Sequence, residues 1–92
     1  MAALITVVEY ENFNYGEDQG EKRSYNEYPT DSNAIADVEY SKIVRMWMDT
    51  IASESHDNRF TCRSHHGNDW ASVAMYVDAN KHYIHISVTF NI

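Results

Sequence analysis

The sequence predicts an α+β fold: an antiparallel sheet of about five strands in the chain order β-β-α-β-β-β, with one long helix packed on one face and residues 1–92 forming a single domain. Three observations lead there. Near the C-terminus apolar and polar residues alternate strictly, with Ile84, Ile86, Val88 and Phe90 on one side and His85, Ser87, Thr89 and Asn91 on the other, the period of a half-buried strand. From Asn33 to Ser53 the apolar residues recur instead at threes and fours, the period of a helix with one buried stripe. The other β-rich runs are short and divided by turn signals, and hairpins around a single helix form a sheet with a helical cover.

Taken in order, Leu4 to Tyr10 is rich in β-branched residues and reads as a strand whose far end becomes polar. Glu9 and Glu11 then share one face and Tyr10 takes the other. Gly16 to Gly20 is a turn signal, and Lys22 to Tyr28 returns as a second strand, closing an acidic hairpin with Glu17, Asp18 and Glu21 at its tip. Tyr28-Pro29 ends that strand, because proline lacks the N–H donor. Thr30, Asp31 and Ser32 are three candidate caps for the helix. Its stripe of Tyr40, Ile43, Val44, Trp47, Met48 and Ile51 faces the sheet, opposite Glu39, Lys42, Arg45 and Asp49. Ile35, Val38 and Met46 lie off that stripe, which implies either a bend in the first turn or a second apolar contact, for instance across a dimer.

Arg59 to Ser64 alternates as a third strand, with Phe60 and Cys62 on the core side and Arg59, Thr61 and Arg63 on the other. Gly67-Asn68-Asp69 turns, Trp70 to Val77 is a fourth strand, and Asp78 to Lys81 turns into the fifth. The sheet's second face, with Arg59, Thr61, Arg63, His85 and Thr89, is too polar for another core layer and suits water or a twin subunit.

Charge is unevenly spread. Nine carboxylates stand between Glu9 and Tyr40 against only Lys22 and Arg23, so this stretch holds the whole formal charge of −7 and the rest of the chain balances. Five tyrosines, Tyr10, Tyr15, Tyr25, Tyr28 and Tyr40, are threaded among the acids. Such a charge repels phosphate backbones and anionic membranes, disfavours direct nucleic-acid binding and draws in basic partners. Acidity also simply keeps small proteins soluble. The apolar run from Leu4 to Val8 is far short of the roughly 20 residues of a membrane span. With no basic leader before it, the chain reads as cytoplasmic, and as host-cell cytoplasmic if phage-encoded. The single Cys62 agrees with a reducing compartment.

Catalytic and metal chemistry finds little footing. Cys62 with His65, and His82 with His85, loosely echo zinc-ligand spacing, but residues three apart on a strand point to opposite faces. Cys62 as a nucleophile with His65 or His66 as base lacks an orienting third group, and its position suits a small buried hydrophobe. Paired acids such as Glu9 with Glu11, or Asp37 with Glu39, lie in polar, exposed surroundings rather than the desolvated ones acid–base work requires. With three glycines there is no phosphate-cradling loop. No cofactor, metal or enzymatic activity is expected.

In length, in an acidic first half rich in Tyr and Asn, and in a closing strand HYIHISVTFNI, the chain resembles the anti-restriction nuclease (Arn) proteins of T-even phages. That family consists of dimeric DNA mimics that inhibit the modification-dependent McrBC endonuclease of the host. The resemblance implies a bacteriophage early protein that acts as a homodimer on a host restriction nuclease or related DNA-binding protein. Charge then nominates Glu9, Glu11, Glu17, Asp18, Glu21, Glu27, Asp31, Asp37 and Glu39 as phosphate stand-ins, with Asp49 and Glu54 extending the row. The competing expectation is a small acidic adaptor that grips a basic protein through tyrosine anchors without imitating DNA.

Overall fold

The computed structural model describes residues 2–12, 20–55, 60–77 and 81–92. The elements follow the expected order: β1 (Ala3–Glu11), β2 (Glu21–Thr30), α1 (Asn33–Glu54), β3 (Phe60–His66), β4 (Trp70–Val77) and β5 (His82–Thr89). All five strands form one antiparallel sheet in the spatial order β2-β1-β5-β4-β3, and α1 lies across one face of it.

Parity decides which side of each strand meets the helix. In β1 the odd residues Ala3, Ile5, Val7 and Glu9 are buried, and the register sets Ile5 opposite Val88, Val7 opposite Ile86 and Glu9 opposite Ile84. On the other flank of β5, Val73 faces Ile86 and Met75 faces Ile84. Directly opposed residues share a sheet face, so these side chains make one layer beneath α1. Ile5, Ile84, Ile86, Val88, Met75 and Val77 are fully buried there, closed from above by Ala36 and Ile51. Each large one adds about 1.5–3 kcal/mol by leaving water.

The helix begins where Ser32 turns its hydroxyl inward to accept the Ile35 N–H at 3.1 Å, one of the first-turn donors that no helical carbonyl can reach. It ends with the Ser55 N–H donating to the Ile51 carbonyl. Met48, expected on the inner stripe, is exposed, and Ala36 takes a buried place instead. The reason is angular: Met48 sits about 100° round the helix from Trp47, at the margin of the stripe.

Three further expectations are corrected. β2 does not stop before Pro29 but runs through it to Thr30, because an edge strand has outward-facing positions where a missing N–H breaks no ladder bond. β3 runs on to His66, with Arg59 outside the described residues. Cys62 is exposed rather than buried. It has the core-side parity, opposite Met75, but stands on the outermost strand, and only the half-buried Phe60 at the start of that strand packs against the core cluster.

Candidate interaction surface

The two sides of the sheet differ in charge. On the helix-free side the outward residues of the three central strands include Leu4, Thr6 and Val8 from β1, His85 and Ser87 from β5, and Ser72 and Ala74 from β4, with none of Asp, Glu, Lys or Arg among them. Tyr10 and Tyr83 meet there with ring centroids 5.9 Å apart, and Tyr76 stands opposite Tyr83 in register. Burial holds the His85 imidazole below its ordinary range, so the three central strands present no charge on this side at neutral pH. Charge returns on the edge strands, with Arg63 on β3 and Lys22 and Glu27 on β2.

The nominated acids separate into groups. Glu21, Glu27 and Asp31 are exposed along the edge strand β2 and its exit, and Asp37, Glu39 and Asp49 are exposed on α1. The Tyr25 hydroxyl donates to Glu27 at 2.8 Å, which pushes the phenol up and fixes the carboxylate on the strand. Glu11 pairs with Arg23 at 2.7 Å, and Glu39 lies 3.8 Å from Lys42, both on open surface where such pairs are worth at most about 1 kcal/mol. Asp37 and Glu39 are two residues apart, about 200° round the helix, and do not share a face. Along β2 the carboxylates of Glu21 and Glu27 are separated by roughly 20 Å of strand. Glu17 and Asp18 lie outside the described residues.

Glu9 and Glu54 depart from the expected row altogether. Both turn inward on His82, which is only 7 % exposed. Its Nε2 lies 2.6 Å from Glu9 Oε2, and its Nδ1 lies 3.0 Å from both oxygens of Glu54. The Ser24 hydroxyl donates to the other Glu9 oxygen at 3.0 Å, and the Trp47 ring stands edge-on to the imidazole at 6.3 Å. The buried Glu9 carboxylate is thereby matched by internal donors and withheld from an outside partner, while Glu54 stays partly exposed.

Periodicity carried the signal for all three. Glu9 extends the odd-numbered buried series of β1, His82 stands two residues before Ile84 in the buried series of β5, and Glu54 follows Trp47 by seven residues on the inner stripe of α1. His85 has the opposite parity and faces away, as strand geometry requires. Among the described residues no group of three or more His, Cys, Asp or Glu is placed to hold a metal ion, and no helix is long and apolar enough to cross a membrane.

No protein-family model matches this chain, and neither the curated proteins nor the solved structures include one similar to it.

Proposed function

We propose that this protein is a non-catalytic acidic inhibitor that occupies the DNA-binding site of a host restriction nuclease of the McrBC type, or of a related DNA-binding protein. It presents carboxylates where the partner normally holds phosphates. The observation that carries the reading is the exposure of Glu21, Glu27, Asp31 and Asp37 on a strand, its exit and a helix rather than on a tail, in a chain of net charge −7. A partner then has little backbone to order on binding, and ordering is a large part of what association costs. Glu17 and Asp18 add two charges to the same segment of the sequence.

In this proposal the working unit is a homodimer joined through the uncharged centre of the helix-free side of the sheet. An acidic protein associates with itself most readily through a patch without charge, and doing so leaves the carboxylates of α1 and Glu21 outward with Glu27 at the rim of the joint. Two copies also double the number of charges offered to one basic groove, which a single copy supplies far more sparsely than duplex DNA, with its one charge per roughly 1.7 Å of axis.

The test is a pull-down from host lysate at low and high salt with the native chain and with single charge reversals at Glu21, Glu27, Asp31 and Asp37. Electrostatic mimicry predicts that DNA-binding proteins are captured, that salt releases them steeply, and that each reversal causes a similar, modest loss. The alternative, an adaptor with aromatic anchors, draws on Tyr25, 50 % exposed and bonded to Glu27, and on Tyr28, 44 % exposed on the other side of β2. It predicts one dominant loss on alanine substitution of a tyrosine and weak dependence on any single acid.

A further inference from the structure

The two edges of the sheet meet solvent differently. β2 is blunted by Pro29, by an extra residue, Arg23, where its pairing with β1 slips, and by the charges of Glu21, Lys22 and Glu27. β3 keeps one regular register from Phe60 to His66 and, among the described residues, has no strand on its outer side. The Gly67 N–H donates to the Trp70 carbonyl at 2.9 Å, which fixes the phase of the ladder. Bonded and non-bonded pairs alternate from there, so Thr61, Arg63 and His65 bond to β4 while Phe60, Cys62, Ser64 and His66 turn their N–H and C=O groups outward. The Phe90 N–H, donating to the Asp69 carbonyl, gives β4 the matching phase, with its odd residues bonded to β5. Such a row of donors and acceptors is what another strand binds.

We propose that β3 is a docking edge for the β3 of a second copy of this chain, the two strands running antiparallel about a twofold axis so that both sheets become one. Charge selects this edge. The whole formal charge of −7 lies between Glu9 and Tyr40, a stretch that supplies the end of β1, β2 and the first part of α1. Arg63 is the one Asp, Glu, Lys or Arg on β3, and β4 and β5 have none. Contact through β2 would set Glu21 and Glu27 against their own copies. Contact through β3 instead puts the two β2 strands at the far ends of the joined sheet, roughly 40 Å apart, several times the Debye length of about 8 Å at physiological salt.

Backbone phase and charge together select the register. A symmetric pairing matches outward residues with outward residues, which allows centres at Cys62, Arg63 or Ser64. A centre at Arg63 sets two guanidinium groups directly opposite each other, and a centre at Ser64 opposes Arg63 to His65 and leaves Phe60 out of the pairing. Centring on Cys62 places Arg63 opposite Thr61 of the second copy, pairs Phe60 with Ser64 across the axis and brings the two Cys62 Cα atoms to about 5.5 Å. The exposed flank of Cys62 is then covered by its own copy. This contact uses an edge of the sheet and the joint of the proposed inhibitor uses a face, so neither depends on the other.

Amide hydrogen exchange of the pure native protein, read residue by residue, tests the pairing without any variant. In a concentrated sample the Cys62 and Ser64 amides should exchange more than about tenfold slower than open amides, joining those of Thr61 and Arg63, which β4 already protects. Fast exchange of Cys62 and Ser64 in that sample overturns the proposal, and so does protection gained only when host extract is added, since another chain then occupies the edge. Ser64→Pro removes an outward N–H and spares the ladder to β4. In that variant the Cys62 amide should become fast, the sedimenting mass should halve, and the Cys62–Cys62 cross-link formed by a thiol oxidant in the native protein should disappear. A Cys62 amide that stays slow there counts against the pairing. Ser87→Glu, which puts charge at the centre of the helix-free side, should leave Cys62 protected, so failure of the face joint and failure of the edge are read apart.

Discussion

A glutamate at the end of an alternating strand is a small conflict between two rules, because composition sends carboxylates to the surface while parity sends every second residue to the core. At Glu9 parity wins, since Ala3, Ile5 and Val7 have already committed the odd side of β1 to the helix. The conflict is resolved chemically: His82 and Ser24 between them reach both carboxylate oxygens. His85, three residues on from His82, shows the opposite outcome. It lies on the helix-free side and is held neutral by burial alone. Its folded-state proton affinity is lowered, so its contribution to stability is complete above the ordinary imidazole value of about 6.5 and is lost as pH falls through the folded value. Acidification from pH 7 to pH 5.5 should therefore lower the urea midpoint of the native chain relative to that of His85→Thr measured at the same pH. His85 is readable from its place in the alternation, and so in retrospect are His82, Glu9 and Glu54. Which partner each one meets is not, because residues 9, 54 and 82 come together only through the fold.

At the scale of single elements, α1 and the edge strand β2 show how local signals set boundaries. Three residues competed to cap the helix. Ser32 does so because its backbone is extended, at φ −143° and ψ 152°, which aims its hydroxyl at the Ile35 N–H. Ser32→Ala should cost about 1 kcal/mol in urea unfolding, with no change in the sheet's spectroscopic signature. The pairing of β1 with β2 slips between Glu9 and Tyr10, leaving Arg23 as an extra residue on β2, and it reaches Glu11. Just before that strand, Gly20 has φ 72°, and an added Cβ would collide with the backbone of Glu11 and Asn12. The bulge, Pro29 and the basic pair Lys22 and Arg23 make β2 a poor template for adding another strand. β3, on the far edge, has neither bulge nor proline. Its exposure also explains why the alternation that placed Cys62 on the core side gave the right face and the wrong environment.

For the whole molecule, the governing fact is that the last strand is the middle one. β5 pairs with β1 on one side and β4 on the other, so the sheet closes only when residues at opposite ends of the chain meet. Such long-range pairing makes loop-closure entropy a large part of the folding barrier. Ile86 lies at the centre, opposite both Val7 and Val73, and is fully buried. Ile86→Ala should cost about 2–5 kcal/mol in equilibrium unfolding, far more than any surface acid reversal in the same assay.

By itself the sequence determined the strand and helix periods, the order of elements and the concentration of negative charge in the first half. These are properties of neighbours in the chain, where a period of two or 3.6 says which residues share a side. Only the tertiary structure decided that β5 sits between β1 and β4, that β3 is an edge which leaves Cys62 open, and that Glu9 and Glu54 turn inward on His82 while Glu21, Glu27, Asp31 and Asp37 remain outside. Those outcomes depend on which element covers which, and burial is a property of the assembled layers rather than of any one segment.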